Sequence, residues 1–290
     1  MVERFFYNES KVFLSPNEYC ALDDSRKPGS IIVELDDIQS LDTIPAIDTL
    51  IIQGGNVERE SLKSLYHHPE IRCLMIDYYE TEGYSEWTID ISKLCSLEIL
   101  VSHTSYGFAN IQDAKALRAL VVTEWYQDDL SLLEGSSIES LIIGNGKRLK
   151  SLSGFSGRYI KVLQISHSPI TEISELSNWC RLELLEIDHC HRIQDWNGLT
   201  SERLMVLLIL GNNTLPSISF VDSIPCLQSL VFEGTIRDGN LMPLKRLSRC
   251  IVSPHRKCYN VSREELQPVV THKTELSIRP EFNYYKSRTI

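Results

Sequence analysis

The chain has 290 residues, of which 42% are hydrophobic, and this supplies enough apolar side chains for a continuous packed core. Lys and Arg number 29 against 39 Asp and Glu, which gives a formal net charge of -10. Such an acidic balance repels a phosphate backbone and excludes nucleic acid as the expected partner. It favours a protein partner with a basic or neutral surface.

The N-terminal segment, the apolar runs and the cysteines bear on location. Glu3 and Arg4 lie where a secretory signal would have a basic end followed by a long apolar stretch. The longest wholly apolar run, Leu204 to Leu210, is far shorter than the roughly 20 residues that span a bilayer. Eight cysteines at scattered spacings are typical of free thiols in a reducing compartment. We therefore expect a cytoplasmic protein that does not enter a membrane.

Residues 1–45 precede the regular part of the sequence. RFFYN and KVFLS flank a short polar link, a pattern typical of a hairpin, and the turn-rich segment DDSRKPGS follows. IIVEL at 31–35 then predicts a short strand that opens an irregular first repeat.

Residues 46–255 contain one apolar pattern, LxxLxL, in ten copies, with departures at Ser102 and Cys250. Positions 1, 4 and 6 of each copy face inward on a strand, because strand side chains alternate. Stacked copies therefore form one parallel sheet and merge their inward leucines into one core. The fourth positions, 20 to 26 residues apart, are Leu50, Leu74, Leu100, Leu120, Leu141, Leu163, Leu185, Leu207, Leu230 and Cys250.

The segments that return from one strand to the next are also patterned. Between the strands at Ile160 and Leu182, the spacing by threes predicts 3₁₀ or short helical turns. Two segments, 147–155 and 191–199, align Gly154 with Gly198, and both glycines predict tight convex bends. A longer connection around 78–88 is predicted to bulge at the rim. The residues spaced by threes are Ile170, Ile173, Leu176 and Trp179.

Residues 256–290 lose the period, contain Pro268 and Pro280, and include TELSIRP as one more predicted strand. Atypical terminal segments normally cover the ends of a repeat core. We therefore predict a C-terminal cap here, and a cap with the first repeat at residues 1–45.

These residues resemble the leucine-rich-repeat superfamily, and the stretch from Ile160 to Leu182 is similar to its 22-residue class, known from bacterial internalins and a phosphatase regulatory subunit. The resemblance implies an α/β solenoid: a horseshoe with a concave parallel β-sheet, about ten repeats, and caps at both ends. The family's ninth-position Asn, which bonds the backbone at the turn, is matched by Asn212. Cys190 is the substitute that the family accepts.

One cluster in the sequence contains residue types that bind metals. Asp188, His189, Cys190 and His191 are zinc-type ligands, but consecutive strand residues point to opposite faces and are not expected to converge on one ion. The segment at 144–151 lacks the GxxxxGK[ST] spacing of a phosphate loop, and the sequence has no GxSxG elbow. We therefore expect no enzyme activity, no metal and no cofactor.

In this architecture, the outward positions 3, 5, 7 and 8 form the concave surface. Position 5 is mostly apolar, which predicts an exposed strip of the kind that marks an interaction site. Positions 7 and 8 add acidic and ring-bearing side chains that suit steering and anchoring of a basic partner. The predicted partner-binding residues are Met75, Asp77, Tyr78, Val101, His103, Val121, Glu124, Ile142, Gln164, His167, Glu186, Asp188, His189, Leu208, Val231 and Glu233.

The sequence thus favours a non-catalytic binding module, monomeric or weakly self-associating, that captures a protein on its concave face. The compact acidic layout is similar to bacterial immunity proteins built from such repeats, which implies neutralisation of a toxin domain. Two alternatives stay open. One is a substrate-recruiting adaptor or an enzyme with a site in the terminal segments, to be distinguished by mutating Cys190 and Cys258. The other is a structural homo-oligomer that uses the apolar strip on itself.

Overall fold

The computed structural model describes residues 30–34, 41–44, 47–53, 61–77, 88–193 and 195–266. Within these residues, eleven strands form one parallel sheet in chain order, and two further short strands, β4 and β6, pair outside it. The strands are β1 Ser30–Glu34, β2 Thr49–Gln53, β3 Cys73–Asp77, β4 Ile89–Asp90, β5 Ile99–Thr104, β6 Phe108–Ala109, β7 Ala119–Glu124, β8 Ser140–Asn145, β9 Val162–Ser166, β10 Leu184–Asp188, β11 Val206–Leu215, β12 Ser229–Ile236 and β13 Arg249–Ser253.

The strand register follows the sequence repeat. Leu185 of β10 pairs with Leu163 on one side and Leu207 on the other. The same alignment joins all ten fourth positions, from Leu50 to Cys250. β1, predicted from IIVEL, extends the ladder at its N-terminal edge. The described residues therefore form a leucine-rich-repeat solenoid with one parallel sheet, and this predicted fold class is confirmed.

The inward positions of the repeat form one continuous core. In the repeat of β10, Leu182, Leu185 and Ile187 are completely buried. Ser102 is buried at a sixth position, where its hydroxyl donates to the Thr104 carbonyl at 2.9 Å and so keeps a partner. Cys250 is buried at a fourth position. Full burial of each leucine contributes roughly 1.5–3 kcal/mol, so the repeated pattern itself holds the stack together.

Short 3₁₀ turns, as predicted, line the convex side of the solenoid. All four residues spaced by threes, from Ile170 to Trp179, are at most 1% exposed. One four-residue α-helix, α1 at Arg263–Leu266, follows the last strand. The turns are Ser61–His67, Ile91–Lys93, Ile111–Asp113, Ser131–Leu133, Ser174–Asn178, Ser219–Ser223 and Met242–Arg246.

The ninth-position prediction at Asn212 is wrong. Asn212 is exposed, and the neighbouring Asn213 is buried and donates from its side-chain amide to the Leu210 carbonyl. The cause is a register irregularity between Ile209 and Asn213, where β11 pairs with β12. At the ninth position of an earlier repeat, Ser168 makes a different bond, because its hydroxyl donates to the Leu149 carbonyl of the preceding repeat at 2.7 Å. The polar side chains at these two turns therefore bond different carbonyls, one within the repeat and one in the preceding repeat.

The two aligned glycines, Gly154 and Gly198, differ in backbone conformation. Gly154 has a φ of +79°, and a Cβ there would lie 2.9 Å from backbone atoms of Ser131, which confirms the tight bend. Gly198 has no left-handed φ, and its nearest would-be contact is Ser174 at 3.4 Å. The expectation of a glycine-dependent bend at Gly198 is wrong. Although Gly198 aligns with Gly154 in the sequence repeat, the two residues have different backbone conformations.

The described part of the C-terminal segment packs onto the last repeat. Tyr259, Val261 and Leu266 are buried in the main core, and the Tyr259 hydroxyl accepts the Ile236 N–H at 3.2 Å. The predicted hairpin of RFFYN and KVFLS, the TELSIRP strand and all but residue 88 of the rim bulge predicted around 78–88 lie outside the described residues, so both caps stay predictions. Among the residues described, no helix has the length and apolar character to cross a membrane.

Candidate functional site

The concave face is the surface of the eleven-stranded sheet opposite the main core, and it carries two apolar clusters of its own. The N-terminal concave cluster consists of Met75, Val101, Val121 and Ile142, with Ile51 and Ile99 packed against it. The C-terminal concave cluster consists of Val162, Leu184, Leu208 and Leu210, with Val206 and Val231 packed against it.

The apolar strip is less exposed than predicted. Met75 is 7%, Val101 5% and Leu208 2% exposed, and Val121 and Ile142 are likewise buried. The expectation of exposure is wrong for these five residues. Because parallel strands lie about 4.8 Å apart, side chains paired in register along one row contact one another. In the last two strands, Val231 is half-buried and Ile251 is 44% exposed.

A polar pair separates the two concave clusters. The Gln164 side-chain amide donates to the Glu186 carboxylate at 2.7 Å, and both residues are half-buried. A partly desolvated carboxylate needs such a donor, because an unpaired one would lose its hydration without compensation. Two of the predicted partner-binding residues therefore form a defined polar step in an otherwise apolar row.

An aromatic group, here called the tyrosine patch, consists of Tyr106, Tyr126 and Arg148. The two tyrosine rings meet edge to face with centroids 6.4 Å apart, and the Arg148 guanidinium lies 5.6 Å from the Tyr126 ring. The Tyr126 hydroxyl donates to the predicted Glu124 at 3.0 Å. Sequence reasoning missed this patch. Its signal was two tyrosines at the tenth position of consecutive repeats.

The remaining predicted residues are spread along the strand ends. His103 is half-buried in β5, and exposed Glu233 in β12 accepts the Gly211 N–H at 3.2 Å. Asp77 ends β3, but its side chain and the whole of Tyr78 lie outside the described residues. Among the described side chains, the predicted carboxylates are therefore spread over three strands, with Glu124 in β7, Glu186 and Asp188 in β10, and Glu233 in β12.

His167, Asp188 and His189 form a cluster that strand alternation did not predict. The Nδ1 atom of His189 lies 2.7 Å from the Asp188 carboxylate, and its ring stacks on His167 with centroids 4.6 Å apart. Asp188 and His189 converge because His189 has a φ of 51°, which turns the chain at the end of β10. The expectation that these two neighbours would diverge is wrong.

Cys190 does not belong to this cluster. Its side chain is buried in the core, with Sγ 3.3 Å from the Asp188 carbonyl. Burial raises the pKa of the Cys190 thiol to about 12, so the thiolate that would bind a metal or attack a substrate is disfavoured. The predicted structural role of Cys190 agrees with this burial.

No protein-family model matches the sequence, and no curated protein matches it. Among solved structures, an internalin C2 from Listeria monocytogenes matches with 22% identity, over 58% of this chain and 77% of that one, at a TM-score of 0.44. A second internalin from that organism matches with 15% identity, over 78% and 72% of the two chains, at a TM-score of 0.46.

A third match is the protein of a TLR13–ssRNA13 complex, with 19% identity, over 82% of this chain and 34% of that one, at a TM-score of 0.42. The fold rests on the strand register and the repeat spacing of this chain.

Proposed function

We propose that this chain is a non-catalytic protein-binding module that captures a partner on its concave face. The observation that carries the proposal is the pair of apolar clusters on that face, together with Ile251, which is 44% exposed at the C-terminal end of the same row. Parallel sheets are normally covered on both faces. Here the main core covers one face, and a protein partner is the occupant that we propose for the other.

Charge favours a basic partner. The chain carries a formal net charge of -10, and the predicted residues Glu124, Glu186 and Glu233 add carboxylates along the concave face. Complementary charge steers association and disfavours wrong partners. The tyrosine patch supplies Tyr and Arg, the residue types most often found as binding hot spots.

The finer proposal is a cytoplasmic immunity protein, of a bacterium, that neutralises a basic toxin domain. The acidic charge and compact repeat layout support it. We expect a complex of nanomolar affinity with a toxin domain encoded beside this protein, measured by isothermal titration calorimetry. Failure to bind any such toxin contradicts the immunity role, while the broader proposal is tested separately below.

Two exposed apolar side chains provide a matched test of the broader proposal. Ile251 is 44% exposed on the concave face, and Met242 is 54% exposed on a convex 3₁₀ turn. We expect a partner purified from native-host extract with the wild-type chain to be lost with Ile251→Asp and retained with Met242→Asp. Equal capture by both variants, each shown to be folded by circular dichroism, contradicts binding through the concave face.

A further inference from the structure

We propose that His167, Asp188 and His189 form a binding site for a divalent transition-metal ion, with zinc as the ion of best fit. One ligand atom from each of the three residues lies within 4.8 Å of the others. Two imidazoles and one carboxylate are a ligand set that zinc and related first-row metals use in proteins, with water completing an open site. This site lies beyond the proposed protein-binding function and does not depend on it.

The backbone holds the three residues together. The His167 N–H donates to the Asp188 carbonyl at 2.9 Å, and the His189 N–H donates to the Leu210 carbonyl at 3.2 Å. Each histidine directly follows its strand, β9 or β10, so the sheet ladder continues past the strand ends. The ligands are therefore carried by adjacent, hydrogen-bonded repeats, which is the rigid support that a precise site needs.

The backbone conformation gives a second, independent argument. His167 and His189 have φ values of 53° and 51°, and the same repeat position holds Gly211 at 88° and Gly234 at 143° in the next two repeats. Glycine is the residue that this left-handed conformation favours, whereas other residues adopt it uncommonly. Strained backbone of this kind is found preferentially at functional sites. Two consecutive histidines therefore stand where the fold would accept glycine.

The neighbouring glycine makes room for the cluster. A Cβ on Gly211 would lie within 2.8 Å of the His189 ring, so glycine at this position permits that ring to lie beside the chain. His191 is near, with its ring 5.7 Å from that of His189, but is not one of the three converging ligands.

Binding requires a small rearrangement. The two rings now stack within 4° of parallel, whereas an ion lies in the plane of each imidazole that binds it, so at least one ring must turn. With zinc–nitrogen bonds of about 2.0–2.1 Å, two donor atoms of a tetrahedral site lie about 3.4 Å apart. The three ligand atoms now lie within 4.8 Å of one another, so each pair must move closer by at most about 1.4 Å. Both histidine side chains are exposed and free of core packing. The ion replaces the Asp188–His189 contact with bonds to both residues.

The test titrates the full chain with zinc chloride in an isothermal calorimeter. We expect one site of micromolar or tighter affinity, weakened at least about tenfold in His167→Gly, His189→Gly and Asp188→Asn, because each change removes a ligand. Glycine is chosen because it suits the left-handed backbone at these positions. His191→Ala is the matched control and should change the affinity less than about threefold, since it leaves all three ligands in place.

Thermal unfolding gives a readout of folding as well as binding. A ligand that binds the native state and not the unfolded chain raises the melting temperature. Zinc should therefore raise the melting temperature of the wild-type chain and of His191→Ala, but not that of the His167→Gly, His189→Gly double variant. Residual zinc binding by that double variant at least about tenfold weaker than that of the wild-type chain is assigned to the exposed cysteines. Wild-type affinity in both glycine variants, or no saturable zinc binding by the wild-type chain, overturns the proposal and leaves a solvated histidine stack.

Discussion

At the scale of single residues, burial decides which side chains have accessible chemistry. Cys73, Cys190 and Cys250 are buried, whereas Cys95, Cys180, Cys226 and Cys258 are exposed. Burial raises the pKa of the thiols of Cys190 and Cys250 to about 12 and raises that of Cys73 further. A raised thiol pKa keeps the group neutral at physiological pH, and only the thiolate is a nucleophile. The alternative of a thiol enzyme that uses Cys190 is therefore disfavoured.

Alkylation tests this division of the cysteines. Of the seven cysteines in the described residues, the four exposed ones should react with iodoacetamide in the native chain at pH 8, while the three buried ones react only after denaturation, because they are both shielded and neutral. Mass spectrometry of the digested protein locates each label, with the denatured chain as the control. Labelling of Cys190 in the folded protein as fast as Cys258 is incompatible with the structure.

At the scale of the turn, backbone conformation distinguishes residues that the sequence repeat makes equivalent. Gly154 and Gly198 align two repeats apart, yet only Gly154 has a left-handed φ and a close approach to the Ser131 backbone. The same limitation hid the histidine cluster, because residue periodicity predicts the face of a strand but not the φ of the residue after it. The repeat pattern also predicted that Asn212 bonds the backbone at the turn. One irregularity in β11 places Asn213 there instead, where its side chain donates to the Leu210 carbonyl.

The two glycines form a matched pair of variants. Gly154→Ala should lower the free energy of unfolding by about 1–3 kcal/mol, because the left-handed φ and the contact with Ser131 both oppose a Cβ. Gly198→Ala should change it by less than about 1 kcal/mol, since alanine fits there and restricts the unfolded chain. Urea denaturation followed by circular dichroism measures both. Equal losses in the two variants are the contrary result.

At the scale of the whole molecule, the spacing of leucines predicted the fold because it is a property of the chain alone. Inward positions such as Leu185 can be buried only by stacking, so the repeat determines the sheet, its register and the single core. The concave face was predicted less well. Alternation assigns Met75 and Leu208 to the outer surface correctly, but it does not show that neighbours in the same row bury them. The tyrosine patch depends in the same way on contacts between repeats.

The central claim is that a protein partner docks on the concave face, and site-specific photo-crosslinking tests it most directly. A photoreactive amino acid is placed at Ile251 on the concave face or at Met242 on the convex side, both exposed positions in the same region of the chain. In native-host extract, we expect irradiation to join the partner covalently at position 251 and leave position 242 without it. Crosslinking at position 242 with none at position 251 would contradict the account.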